Sequence, residues 1–175
     1  LQKATITNII NEFFELGIAA VDGDAASGRR GERICLKVDG LYTMSIGITR
    51  SDCQVAVFDL QGKQRRHVRL PFTRRGALSE SLEQLERLAV DLLNEFGNEK
   101  ILAICLAVPG PFIRNEIEGV EVFNVTHFDE LNHMDIRREL EGALGRSIFI
   151  KHDAKLSALA EWRNAAEVKD NSRAS

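Results

Sequence analysis

The stretch that decides the fold is Ile101-Leu102-Ala103-Ile104-Cys105-Leu106-Ala107-Val108, ended by Pro109-Gly110-Pro111. Its apolar residues run without alternation, as expected of a strand covered on both sides. Ahead of it lies a helix pattern from about Leu78 to Phe96, with Leu82, Leu85, Leu88, Ala89, Leu92, Leu93 and Phe96 on one face and Gly97 as the stop. Behind it a second helix spans about Asp135 to Leu144, stopped by Gly145, and leads to a further apolar strand, Ser147 to Lys151. A last helix is expected from about Ala154 to Ala166. Upstream, Tyr42 to Thr49, Gln54 to Leu60 and Arg66 to Pro71 read as three strands of a β-meander. A meander followed by helix, strand, helix, strand, helix predicts an α/β domain with a mixed sheet.

The first forty residues have a different texture. Ile6, Ile9, Ile10, Phe13, Phe14 and Leu16 recur at spacings of three and four, which predicts a helix from Ala4 to Leu16 with one buried stripe, ended by Gly17. Two short strands, Ile18 to Val21 and Ile34 to Val38, flank a turn-rich stretch carrying Gly28 and the pair Arg29-Arg30. A helix with small polar residues at its N-terminal end, followed by a hairpin with a basic tip, is the second half of a winged helix-turn-helix. Thr and Asn side chains on such a helix reach base edges or phosphates, and arginines at the tip suit phosphate or the minor groove. An amphipathic helix packed beside a hairpin explains the same pattern.

Composition narrows the options. The 175 residues carry 23 lysines and arginines against 26 acids, for a formal charge of -3. That excludes a generally basic nucleic-acid coat or a polybasic membrane binder, so any DNA contact must be local. The apolar run before Pro109 is far short of the roughly 20 residues of a membrane span. Cys35, Cys53 and Cys105 all fall in apolar stretches, where a reduced thiol acts as a small hydrophobe, and a cytoplasmic location is expected. His127, His133 and His152 are too scattered for a metal site.

Three places could carry chemistry. The turn Thr49-Arg50-Ser51-Asp52 lacks glycine, and a phosphate cradle needs bare backbone amides, so an ordinary hairpin turn is the expectation. Pro109-Gly110-Pro111 could deliver backbone to a ligand at the carboxyl end of the sheet, or be only a turn. Asp153 sits where a strand meets the last helix and suits either a helix N-cap or a general base, caps being far the commoner. The acid-free stretch containing Lys63, Arg65, Arg66, Arg69, Arg74 and Arg75 reads as a solvated strand edge.

Taken together, these pieces resemble the ROK family of repressors and sugar kinases. The blocks that carry the resemblance are Ala4 to Glu12 with Leu16-Gly17, the tip Gly28-Arg29-Arg30, the strand Val55-Ala56-Val57-Phe58-Asp59-Leu60 with Gln61-Gly62, Ala107-Val108-Pro109-Gly110-Pro111, and Lys151-His152-Asp153-Ala154 with Ala158-Leu159-Ala160-Glu161. The resemblance implies a partial winged helix-turn-helix, residues 1–38, followed over residues 39–175 by the first lobe of an actin-like, ribonuclease H-like sugar-kinase fold. It also implies a sugar-responsive transcriptional repressor. Lys3, Thr5, Thr7, Asn8, Arg29 and Arg30 would contact an operator, and Gly110, Asn124, His152 and Asp153 would contact a sugar or sugar phosphate. His152 stands where the family has asparagine.

The family's Asp-x-Gly-x-Thr phosphate loop aligns with Gly47-Ile48-Thr49-Arg50-Ser51, which has lost the acid and the key glycines. With that loss, and with no second nucleotide-binding half in the sequence, the expectation is a protein that is not an enzyme. Asp153 would be a catalytic base only if the chain were a kinase, which is the alternative. A ligand-free interaction or dimerisation module is a third reading. No cofactor is expected in this chain, and the family's zinc signature would belong to a C-terminal half. The chain is expected to be a piece of a longer, homo-oligomeric protein, because both the helix-turn-helix and the kinase-like body break off.

Overall fold

The computed structural model describes residues 3–21, 33–37, 40–73, 78–110, 112–114, 121–123, 125 and 128–171. Its centre is a five-stranded mixed sheet in the order β5-β4-β3-β6-β9. The strands are β3 (Tyr42–Ile48), β4 (Asp52–Asp59), β5 (Gln64–Pro71), β6 (Ile101–Val108) and β9 (Ile148–His152). The expected meander is present: β3 pairs antiparallel with β4, and β4 with β5. β6 then lies parallel to β3, with Met44 opposite Ile104 and Ile46 opposite Leu106, and β9 lies parallel to β6.

Alternation along the strands gives the sheet two unlike faces. One face carries Met44, Ile46 and Ile48 from β3, Cys53, Val55 and Val57 from β4, and Ile104, Leu106 and Val108 from β6, all fully buried. Over it lie α2 (Leu78–Phe96), whose Leu85, Ala89, Leu92 and Leu93 point inward, and α4 (Ile136–Leu144), which buries Ile136, Leu140 and Leu144. The other face is built from small residues in the middle strands: Thr43, Ser45 and Gly47 on β3, Ala103, Cys105 and Ala107 on β6. α5 (Asp153–Asn171) packs against β6 and β9. This pairing of faces corrects the expectation that β6 is covered on both sides and that the apolar strand β9 is buried. Leu102 is 50% and Phe149 63% exposed, because β9 is an edge strand and α5 covers the second face only in part.

The helices begin and end where local chemistry dictates. Asp135 caps α4 by accepting the Arg138 amide at 3.2 Å, and Gly145 closes it in the left-handed region at φ 62°. At the start of α2, the Glu130 carboxylate accepts both the Ser79 amide (2.7 Å) and its hydroxyl (3.1 Å), an anion at the positive end of a helix. Arg146 ties the turn after α4 to the entry of β6, donating to the carbonyl oxygens of Asn98 and Ile101, each at 2.7 Å.

Elements that the sequence pattern did not resolve are the short hairpin β7 (Phe112–Arg114) with β8 (Glu121–Phe123) and the one-turn helix α3 (Asp129–Asn132). All are too short to show a period.

Ahead of the sheet, α1 (Lys3–Glu15) leads through Gly17, at φ 68°, to β1 (Ala19–Val21), which pairs antiparallel with β2 (Ile34–Leu36). The Ile18 amide donates to the Phe13 carbonyl and the Lys37 amide to the Ile18 carbonyl, both at 2.8 Å, so helix and hairpin are joined by backbone. The expected buried stripe on α1 is not buried among the described residues: Ile6, Ile9, Phe13 and Leu16 are 41–57% exposed. A helix set against a hairpin of three-residue strands meets too little surface to cover it. Cys35, on the same hairpin, is exposed as well, unlike Cys53, whose thiol burial pushes up to about 12 with help from the adjacent Asp52.

β4 begins and ends on a buried carboxylate. Asp52 is held by Arg69 and by the Ser51 hydroxyl (2.9 Å), and Asp59 by the Gln61 and Lys63 amides and by Arg65 Nε, each at 2.9 Å. Burial works against ionisation at both, yet the hydrogen bonds and guanidinium charges outweigh it and hold both carboxyls below their usual range. The basic strand β5 is thus partly neutralised by its neighbour, since the half-buried Arg65 and the exposed Arg69 each pair with one of these carboxylates.

Two outcomes follow from this packing. Leu85→Ala should lower unfolding free energy by about 2–5 kcal/mol in urea titrations. Because both aspartates are depressed in the folded state, the stability they contribute is full above the unfolded carboxyl value of about 3.9 and is lost as pH falls through the lower folded values. The urea midpoint should therefore drop below about pH 4, and Asp59→Asn should flatten that drop.

Candidate functional site

Strands β3, β6 and β9 run in the same direction, so their carboxyl ends meet at one edge of the sheet. That edge is where open α/β sheets bind ligands. The turn Thr49-Arg50-Ser51 follows β3, Pro109-Gly110 follows β6, and His152-Asp153 closes β9 and opens α5. Together they line a cleft of about 380 Å³, within the usual range of small-molecule sites. Three residues expected at a ligand site, Gly110, His152 and Asp153, are brought together here. Asn124 lies outside the described residues, but its neighbour Val125 is buried and fixed on both backbone groups by the Asn132 side chain, at 2.7 and 3.0 Å.

Gly110 and His152 fit each other closely. The register sets Val108 opposite His152. A Cβ placed on Gly110 would stand 1.7 Å from the imidazole Cδ2 and Nε2. The space a side chain on Gly110 would fill is therefore taken by the ring, and this contact rather than its own backbone angles favours glycine there. His152 Nδ1 is 3.6 Å from Asp153 Oδ1, and the side chains are 28% and 50% exposed.

Asp153 is not the N-cap that its position suggested. It is the first residue of α5, and its Oδ1 accepts the amide of Ala154, the very next residue, at 2.6 Å. A cap accepts from the second or third amide instead. Its carboxylate therefore stays at the cleft edge, half exposed.

The Thr49 turn is closed on itself. Thr49 Oγ1 accepts the Ser51 and Asp52 amides at 3.1 and 3.2 Å, and the Thr49 amide donates to the Asp52 carbonyl at 2.9 Å. Two of the amides that a phosphate cradle needs are thereby consumed within the turn. Sequence reading found the missing glycines but not this hydroxyl, whose role depends on the turn's fold. Arg50 projects from the same turn, exposed, and lines the cleft. It was absent from the residues expected to bind ligand, because nothing in the sequence linked it to Asp153, about a hundred positions away.

Of the residues expected to meet DNA, Thr5, Thr7 and Asn8 lie exposed in the first turns of α1. The Lys3 side chain, Arg29 and Arg30 lie outside the described residues. Among the described residues no group of three or more His, Cys, Asp or Glu side chains gathers as metal ligands would. No described helix is long and apolar enough to cross a membrane.

Gly110→Ala should push the imidazole out of its place. In NMR spectra the His152 ring signals should shift strongly while those of His67, which bonds Gln54 across β4 and β5, stay put.

Comparison with known proteins agrees with this architecture. No curated protein matches the chain. Among solved structures, a ROK family transcriptional regulator described as a homologue of the E. coli MLC protein superposes with a TM-score of 0.63 at 19% identity, covering 92% of this chain and 41% of that one. An inorganic polyphosphate/ATP-glucomannokinase from Arthrobacter sp. strain KM gives 0.51 at 25% identity, covering 69% of this chain and 47% of that one. The chain thus spans less than half the length of either protein, and shares with them the actin-like fold. The model of the ROK family matches residues 43–172, nearly the whole of the sheet and its helices, and the chain belongs to the ROK family.

Proposed function

We propose that this chain is part of a sugar-responsive transcriptional repressor of the ROK type, in which α1 and the β1–β2 hairpin contact DNA and the cleft at Gly110, His152 and Asp153 receives a sugar effector. The observation that carries this reading is the helix and hairpin set ahead of a kinase-like sheet. A kinase has no use for that segment, whereas a helix with exposed Thr5, Thr7 and Asn8 followed by a hairpin suits a DNA groove. The Thr49 turn supports it from the other side, since amides already bonded to Thr49 Oγ1 do not hold a nucleotide phosphate. Effector binding then shifts the balance between operator-bound and released states through its unequal affinity for the two. Such repressors meet paired half-sites as dimers, and a homo-oligomer fits that geometry.

Asp153 favours one second reading. A carboxylate half exposed at the end of a strand, beside a cleft, can take a proton from a sugar hydroxyl, and the chain would then belong to a hexose kinase.

The two readings separate cleanly. In the intact protein, replacing Arg29 and Arg30 with alanine should weaken operator binding and reduce the slope of log affinity against log salt by about 2, one phosphate contact each. An unchanged slope removes the hairpin from the interface. ATP-dependent phosphorylation of a hexose by the intact protein, abolished in Asp153→Asn, would instead establish the kinase.

A further inference from the structure

The cleft has walls of opposite charge. On one side Asp153 presents a half-exposed carboxylate, with Oδ1 engaged by the Ala154 amide. On the other side the Thr49 turn has little left to offer a neutral ligand. Thr49 Oγ1 accepts two amides, and the Ser51 hydroxyl donates to Asp52. What remains on that wall is the Arg50 guanidinium. Arg50 is exposed and, among the described residues, makes no hydrogen bond or ion pair. It differs in this from Arg65 and Arg69, which are committed to Asp59 and Asp52.

We propose that the effector of this cleft is an anionic sugar, a hexose bearing a phosphate ester or a carboxylate, whose negative group is held by Arg50 and whose hydroxyls meet Asp153. The inference rests on the reading of the cleft as the effector site and narrows the class of ligand. A guanidinium is planar and carries several parallel donors, which suits phosphate and carboxylate oxygens and gives little advantage with a lone hydroxyl. The opposite wall adds direction. Asp153 attracts hydroxyl donors and repels an anion, so a charged sugar has one favourable orientation and its reverse is penalised. Between the walls lie Gly110 and the His152 imidazole, which occupies the space that a Cβ on Gly110 would take.

The test is calorimetric titration of the intact protein with glucose, glucose 6-phosphate, glucuronate and inorganic phosphate, repeated with Arg50→Ala. The charged sugars should bind at least about tenfold tighter than glucose, the increment of one charge-assisted contact. Inorganic phosphate, lacking a sugar ring whose hydroxyls can reach Asp153 while the anion sits on Arg50, should bind more weakly than either. Whichever charged sugar is tighter identifies the ester or the carboxylate as the group read. Arg50→Ala should bring both charged sugars to the level at which the variant binds glucose. Arg50 has no partner among the described residues, so an unaltered melting curve is expected for the variant. Glucose binding as tightly as the charged sugars, a preference that survives Arg50→Ala, or no binding by any of them overturns the proposal. The broader reading fails in a different way. If the charged sugars bind as expected but none alters operator affinity of the intact protein, the regulator reading is lost and the anionic ligand stands. If neutral glucose releases the operator, the reverse holds.

Discussion

The parallel pairing of β3 with β6 is the constraint on which the rest of this structure depends. β6 runs the same way as β3 and as β5, from which the chain arrives, so the chain must leave the sheet after β5, return along it as α2 and enter again at Ile101. That crossover lays α2 over β4 and gathers Leu85, Ala89 and Leu92 with Met44, Ile46, Ile104 and Leu106 in one core. It also brings the ends of β3 and β6 to the same edge, which a second crossover through α4 extends to β9. The cleft is a by-product of strand direction: three turns that share no sequence neighbourhood become neighbours because three strands point the same way.

Charge is handled locally rather than by overall balance. The formal charge of -3 and the basic stretch from Lys63 to Arg75 are reconciled at β4. Its terminal aspartates draw in Arg65 and Arg69, and each carboxylate stabilises a turn as well as an edge strand. Where a cation is left to act on a partner is then set by local geometry. Arg50, at a turn whose other polar groups are saturated, is such a cation.

Much of the fold was legible because its elements are long enough to show a period. The bounds expected for α2 and β6, Leu78 to Phe96 and Ile101 to Val108, coincide with those of the structure, since Gly97 and Pro109 punctuate them. The β7–β8 hairpin and α3 were not legible, being three or four residues long. Exposure was misjudged where it depends on a neighbour: the stripe of α1 looks buried in any amphipathic reading, and only the structure shows how little of it the hairpin covers. At the cleft, motif resemblance pointed to Gly110, His152 and Asp153. It was silent about Arg50 and about the Thr49 hydroxyl, because their roles arise from a turn closing on itself and from two strand ends meeting.

The contact between Gly110 and His152 has an entropic side. An imidazole seated where a Cβ cannot be has given up its rotamer freedom when the chain folds, not when a ligand arrives. The surface that it presents is therefore preorganised, and a ligand settling on it forfeits little of its binding energy to ordering the protein.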